Sequence, residues 1–519
     1  MSIEMQEVGT VPRELRGRAQ MNLAFALAQA ARRDGGAPAI TSLSGESLAY
    51  CELEERVRRL GSGLLALGLE TGDRVVLAMS NAREYVEILY GAWAAGLCVA
   101  PLNSRLHARE ISHAAADCGA KIIFATRDVS ARLTEVELPA PVVAIEGDKF
   151  GQLLSSSPGL IKDIPATAPA WLFYTSGTTG RPKGAILTHR NLNAMIVSFL
   201  ADSDAGGSDT FVHMTPQSHA GGLFSLAYVA RGLNQIVLPA GGLTREYART
   251  AFGIAGRGSC FAVPTLVKRF VEQDYFNERH CNVHKILFGG APMYAADLRT
   301  AISYFGATKL WGLYGQGEAP CTITHLPPSL TMCEEAPHYA EACASVGIPR
   351  TGVAVRVVRD DGSEANGGEV GEVTVKGDVV MAGYWNEPSA TAETIRDGWL
   401  HTGDLGCFGD SGLLTLVDRS KDVIISGGSN IYPREVEEIL LLHPLVREAA
   451  VVGVPDREWG ERPVAFIVAR DEISEESIVK LCRQHLAAYK APSAIRFVNK
   501  LPESAYGKVL KSELRRNSE

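Results

Sequence analysis

The stretch YTSGTTGRPKGA, Tyr174–Ala185, gathers hydroxyls, glycines and a lysine into one short run. Thr175, Ser176, Thr178 and Thr179 offer donors, and Lys183 adds a compact positive charge. Gly177, Gly180 and Gly184 let the backbone turn and come close to a ligand. Free N–H groups in a glycine-rich turn form a concavity that binds anions, and a polyphosphate suits this mixture. The flanks weigh against a merely solvated loop. AWLFY before it is an apolar run of strand length, and LNAMIVSFL after it can be helical. The loop therefore sits at the end of a strand, where open α/β sheets hold their ligands.

The run is not a Walker A loop, which needs Gly-x-x-x-x-Gly-Lys-Ser/Thr opening directly into a helix. Here Pro182 stands between Gly180 and Lys183, and Gly184 follows the lysine. Proline removes an N–H donor and disfavours helix in the residue before it. The spacing predicts a mobile phosphate-holding loop rather than a helix N-terminus.

A chain of 519 residues suggests two to four structural units, at about 100–200 residues per domain. Hydrophobic content of 46% and charged content of 21% suit a soluble globular protein. A net charge of −8 gives no support for a nucleic-acid partner, which usually needs a basic footprint. The 10 cysteines are scattered, with no C-x-x-C pair and no zinc spacing, which suits a reducing cytoplasm. The N-terminal MSIEMQEVGTVPRELRGRAQ is charged and lacks the apolar core of a secretory signal. The longest apolar stretch, ILYGAWAAGLCVAPL, is shorter than the roughly 20 residues that span a bilayer and is broken by Gly and Pro. It reads as a buried helix entering a strand, so no transmembrane segment is expected.

Residues 19–125 alternate helix-like runs (LEERVRRLGSGLLALGL) with short strand-like ones (DRVVLAM, CVAPL, KIIFAT). The alternation returns from Trp171 to about Gly315, with QIVLPA, CFAVPTL, KILFGG and LWGLYG as strands. This predicts a layered, mostly parallel α/β architecture. From about Gly347, GVAVRVVRD, GEVTVKG and LLTLVDR are separated by turn signals, which predicts a smaller β-rich subdomain. After Asp418 a polar junction leads to a strand, a glycine turn and a helix, and a compact α+β unit fits the tail.

With these motifs in place, the chain resembles the adenylate-forming superfamily, which contains acyl-CoA synthetases, firefly luciferases and the adenylation domains of nonribosomal peptide synthetases. The similarity runs from LAYCELEERVRRL to GKVLKSELR and follows the family's motif order. YTSGTTGRPKGA resembles the phosphate loop, and ILFGGAPM and LYGQGEAP the adenine and magnesium segments. MAGYWNEPSATAETIRDGWLHTGDLG resembles the ribose segment, VDRSKDVIISGGSNIYPREVE the hinge, and LPESAYGKVLKSELR the C-terminal lysine segment. The resemblance implies a large N-terminal domain of stacked sheets with helices, 1–418, and a small mobile lid, 419–519, hinged at 419–422.

The activity it implies is that of an acyl-CoA ligase using ATP, Mg2+ and CoA. A carboxylate attacks the α-phosphate of ATP, and a thiolate then displaces AMP from the acyl-adenylate. No protein nucleophile is needed, so the task is positioning and electrostatics. Lys508 would place its ammonium between carboxylate and phosphate. Glu318 and Thr175 would hold Mg2+, a hard cation preferring oxygen. Thr175, Ser176, Gly177, Thr178, Thr179 and Lys183 would cradle the phosphates. Gly289, Gly290, Ala291, Pro292, Tyr314 and Gly315 would border the adenine. Asp404 and Arg419 would meet the ribose, Lys421 would be the pivot, and Gly427 and Gly428 would line the CoA tunnel after rotation.

His219, in TPQSHAGGLFS, resembles the position bordering the acyl pocket and the thiol tunnel. Amino-acid-adenylating relatives carry an aspartate there to pair with a buried ammonium. Its absence here, with the apolar run LFSLAYVA following, points to a fatty or other apolar acid. The family usually has threonine before the magnesium glutamate, whose hydroxyl would bond the substrate phosphate; here that residue is Gly317. Two other readings are a ligase loading a separate carrier protein and a nucleotide-binding protein that has lost catalysis. The sequence does not name the acid, and a homodimer is compatible with it.

Overall fold

The computed structural model describes residues 21–175, 182–203, 205–238, 243–276, 282–503 and 509–518. Lys508, Ser176, Gly177, Thr178 and Thr179 lie outside the described residues.

Two large sheets organise the first part of the chain. The 6-stranded sheet runs, in spatial order, Val142–Ala144, Ala120–Ala125, Arg74–Met79, Cys98–Asn103, Pro169–Thr175 and Lys183–Thr188. Its first five strands are parallel and the last is antiparallel. The 9-stranded sheet has a parallel centre containing Asp209–His213, Arg257–Ala262, Val283–Gly289 and Leu310–Gln316. Antiparallel strands close both of its edges. Parallel strands need crossovers that cover both sheet faces, and both faces then bury apolar side chains.

One apolar core joins the two sheets. It holds Val75, Leu77, Phe124 and Trp171 of the first sheet with Phe211, Phe261 and Leu287 of the second. The helices Glu84–Ala94, His189–Asp202 and Ala220–Arg231 contribute to it. Every residue from Tyr85 to Ala94 is buried, and the one carboxylate among them, Glu87, is paired with Arg56 at 2.8 Å.

A third, antiparallel sheet contains Ala354–Val358, Gly371–Lys376, Trp399–Phe408 and Leu414–Arg419, and is the expected β-rich subdomain. The short 3-10 turn Ser420–Asp422 leads into the C-terminal unit. That unit has its own 5-stranded sheet and its own core, including Ile424, Val436, Leu440, Val451 and Ile467. Among the described residues no helix is long and apolar enough to cross a membrane.

Two local expectations are corrected. Lys183–Thr188, whose first three residues lie in the expected loop, is a strand paired antiparallel with Pro169–Thr175, and the helix His189–Asp202 begins directly after it. CFAVPTL is not one strand. The strand Arg257–Ala262 ends, and the helix Pro264–Glu272 starts on its proline, where the missing N–H has no intrahelical partner to lose.

Candidate active site

A cleft of about 2240 Å³ is lined by both large sheets, the third sheet and the C-terminal unit. Its position follows from the strands. Thr175, Gly289 and Gln316 are the last residues of their strands and line it, as expected for the carboxyl ends of an open α/β sheet.

On one wall, Thr175 is in register with Lys183 across the hairpin, and both line the cleft. The Lys183 Nζ lies 5.4 Å from the centroid of the Tyr384 ring. Tyr384 in turn donates from its hydroxyl to Glu318 Oε1 at 2.6 Å. Burial, then the nearby Glu318 charge, raises the Tyr384 pKa, so the phenol stays a donor. Glu318 itself is buried. It follows Gly317 in the turn between Leu310–Gln316 and Ala319–Leu326.

Deeper in, Tyr314 donates to Asp404 Oδ2 at 2.7 Å. Arg419 Nε reaches Asp404 Oδ1 at 2.9 Å from the neighbouring strand, where the two residues are in register. Each oxygen of this buried carboxylate therefore has a donor. Asp404 in turn raises the Arg419 pKa. Gly289 ends its strand against Leu313, and a Cβ there would fall 2.2 Å from the Leu313 carbonyl oxygen. Gly290, Ala291, Pro292 and Gly315 line the same region.

His219 caps the helix Ala220–Arg231 and lies half-buried on the cleft. Its Nδ1 is 2.9 Å from Ser218 Oγ, and its ring meets Phe173 edge-on at 5.1 Å between centroids. Burial pushes its pKa down to about 3, so the imidazole is neutral near pH 7. The cleft is also lined by Leu223, Phe224, Phe261, Leu313 and Pro320. Charged and apolar side chains thus line one cleft, and Phe173 and His219 line it together.

From the C-terminal unit, Glu503, Val509, Leu510 and Lys511 flank position 508 and line the cleft, as does exposed Lys421. Gly427 and Gly428 do not line it. Their turn is exposed and lies against Trp459, whose carbonyl accepts from the Gly427 N–H at 2.8 Å. Lys511 Nζ pairs with buried Glu437 Oε1 at 2.9 Å, and Tyr294 donates to Glu437 Oε2 at 2.8 Å. Tyr294 stands two residues after Pro292, so the adenine-segment loop is tied to the C-terminal segment.

The structure brings Thr175, Lys183, His219, Gly289, Gly290, Ala291, Pro292, Tyr314, Gly315, Glu318, Asp404, Arg419 and Lys421 to one cleft, and leaves Gly427 and Gly428 outside it. Sequence reasoning missed Phe173, Tyr294, Tyr384, Glu437 and Lys511. Tyr384 and Lys511 lie inside quoted motifs and were open to reading. The Tyr294–Glu437 pair joins residues 143 apart in sequence and leaves no local signal. No group of three or more His, Cys, Asp or Glu is placed to hold a metal among the described residues. Thr175 and Glu318 flank Gly317 in space and supply two oxygen donors. They would suit a hard cation whose other ligands come from phosphate and water.

Comparison with known proteins shows the family. The AMP-binding enzyme family matches residues 27–385, and the AMP-binding enzyme C-terminal domain matches 435–508. The chain is 36% identical over 490 residues to a feruloyl-CoA synthase of Amycolatopsis, covering 91% of this chain and 94% of that one. It is 31% identical over 554 residues to a long-chain-fatty-acid–CoA ligase of Salmonella typhimurium, covering 97% and 96%. The solved o-succinylbenzoate CoA synthetase of Bacillus subtilis, in complex with its acyl-adenylate intermediate, is similar with a TM-score of 0.83. Identity to it is 28%, over 96% of this chain and 98% of that one.

Proposed function

Because the chain belongs to the AMP-binding enzyme family, we propose that it joins an apolar carboxylic acid, fatty or aryl, to the thiol of coenzyme A. It is an AMP-forming acid–thiol ligase. The observation that carries the choice of acid is the cleft itself. Lys183, Glu318, Asp404 and Arg419 line it together with the apolar Leu223, Phe224 and Phe261. The similarity to a feruloyl-CoA synthase and to a long-chain-fatty-acid–CoA ligase supports the same choice.

In the first half-reaction the acid's carboxylate attacks the α-phosphate of ATP, and pyrophosphate leaves. Lys183 and the run from Thr175 to Thr179 hold the phosphates. Glu318 and Thr175 would hold the magnesium that arrives with ATP, which would neutralise charge on the leaving pyrophosphate. Asp404, oriented by Tyr314 and Arg419, meets the ribose, and Gly289 to Pro292 border the adenine with Gly315. Lys508 bridges carboxylate and phosphate. Neutral His219 borders the apolar pocket without placing a charge beside it. In the second half-reaction the CoA thiolate attacks the acyl carbon and AMP leaves. Between the two half-reactions the unit after residue 418 pivots at Lys421 and brings Gly427 and Gly428 to the cleft. The reaction is placed in the cytoplasm, where the scattered cysteines stay reduced.

The test supplies ATP, magnesium and CoA with a panel of medium- and long-chain fatty acids and hydroxycinnamic acids, and measures pyrophosphate and AMP release. Release requiring both acid and CoA is expected. Acid-dependent ATP–pyrophosphate exchange with no CoA thioester would move the acceptor to a carrier-protein thiol. No exchange with any acid would overturn the ligase reading.

A further inference from the structure

Position 317 carries glycine where the family resemblance leads to threonine, and the packing around it gives a reason. A Cβ on Gly317 would lie 2.5 Å from Thr175 Cγ2 and 2.7 Å from Phe173 Cδ1, with Phe173 Cε1 at 3.1 Å. Unbonded carbons are at ease at about 3.5–4.0 Å, so any side chain at 317 overlaps its neighbours. Backbone conformation is not the cause, because Gly317 is absent from the residues of positive φ. The Thr175 methyl can rotate away. The Phe173 ring is more constrained, because its strand position is paired with Ala185 and its ring packs edge-on against His219.

We propose that Phe173 and Gly317 are one coupled specificity element: the ring fills the space that a side chain at 317 would occupy. Together they form an aromatic wall beside His219 for the carbons next to the acid's carboxyl. The inference rests on the acid-activating reading above. Its basis is placement. Phe173 lies two residues before Thr175 on the same strand, its ring meets His219 edge-on, and all three residues line the cleft. A ring edge there leaves room for a flat or unbranched α-carbon. A branch on that carbon would meet the wall as the missing Cβ would. The glycine is then no sign of a decayed site, and restoring threonine should harm this chain.

A double-mutant cycle tests this with Gly317→Thr, Phe173→Leu and the pair, read by melting temperature and by ATP–pyrophosphate exchange with α-unbranched and α-methyl acids. Gly317→Thr alone is expected to lower the melting temperature by about 2–4 °C and exchange by about tenfold. Adding Phe173→Leu should recover most of both losses. Phe173→Leu alone should shift the preference toward α-methyl acids by about tenfold, mainly through KM. Threonine tolerated at 317 with Phe173 intact, or a pair whose losses simply add, would overturn the coupling. Coupled melting temperatures with no change in acid preference would overturn the specificity role. If the parent protein shows no acid-dependent exchange at all, the ligase reading fails, while the melting-temperature cycle still decides the packing claim.

Discussion

A buried carboxylate must be matched by donors or counter-charge, and Glu318 is matched on one side. Tyr384 satisfies Oε1, and Oε2 accepts no hydrogen bond among the described residues. That asymmetry leaves one oxygen for a cation and fixes its direction through the phenol. Glu318→Ala is therefore expected to weaken magnesium-dependent ATP–pyrophosphate exchange by at least about tenfold, because phosphate charge then faces the carboxylate unshielded. Tyr384→Phe keeps the acid but loosens its aim. It should raise the magnesium concentration needed for half-maximal exchange by about tenfold, with a smaller change in the rate at saturating magnesium. Unchanged exchange in Glu318→Ala at low magnesium would remove that residue from the site. Two buried histidines set a pH limit. His189 and His213 are fully buried, and burial lowers their pKa values to about 3 and about 4 from an ordinary 6.5. Below pH 6.5 the unfolded chain takes up protons that the folded one refuses. The stability these neutral rings contribute is thus intact above 6.5 and lost as pH falls toward 4. The slope is about 1.4 kcal/mol per pH unit for each ring. Melting temperature should fall steadily from pH 6.5 to 4.5, and His213→Asn should flatten that fall; a flat profile in the parent would contradict the assignment.

At the scale of elements, the sequence exposed what has a local pattern and hid what is made by distance. Runs such as DRVVLAM and KIIFAT are apolar, short and bounded by turn residues, and they are the strands Arg74–Met79 and Ala120–Ala125. Lys183–Thr188 escaped because its strand begins inside a run rich in Gly and Pro, which reads as loop. The helix at Pro264 escaped because the apolar run CFAVPTL does not change composition where it changes structure. In the site, the motif residues were legible one by one, but their partners were not. Asp404 and Tyr314 meet across 90 residues, and no periodicity announces such a pair. The hinge is an element of a third kind, short and polar. Ser420–Asp422 forms one 3-10 turn between the third sheet and the C-terminal unit, with Lys421 exposed at its centre. A pivot there must absorb a large dihedral change, and proline fixes φ near −65° and restricts the residue before it. Lys421→Pro is expected to keep acid-dependent ATP–pyrophosphate exchange while CoA-dependent thioester formation drops by about tenfold or more. Full thioester formation in this variant would sink the pivot.

At the scale of the whole molecule, the question is which half-reaction this arrangement serves. The residues flanking position 508 line the cleft, while Gly427 and Gly428 lie outside it against Trp459. Several ties hold the C-terminal unit in this pose. Tyr294 donates to Glu437, Lys268 donates to the Arg447 carbonyl, and Arg470 pairs with Glu272. The last pair is exposed on both sides and contributes little. The Tyr294 tie ends on Glu437, which is buried and also accepts from Lys511 and from the Val451 N–H. Such a hub couples the loop after Pro292 to the segment that carries Lys508. If CoA transfer needs Gly427 and Gly428 at the cleft, the Tyr294–Glu437 bond must break between the two half-reactions. Lys508→Ala should then nearly abolish acyl-AMP formation yet spare thioester formation from acyl-AMP supplied ready-made. Tyr294→Phe removes the hydroxyl alone and leaves Glu437 its two donors within the C-terminal unit, so folding should survive. It is expected to slow acyl-AMP formation by about threefold to tenfold, the worth of one hydrogen bond to a charged group in part. It should leave thioester formation from supplied acyl-AMP equal or faster, because the tie that must break is gone. Single-turnover measurements of each half on the same preparation check this. Equal slowing of both halves would mean that the bond is structural, and that this pose is not specific to the first half-reaction.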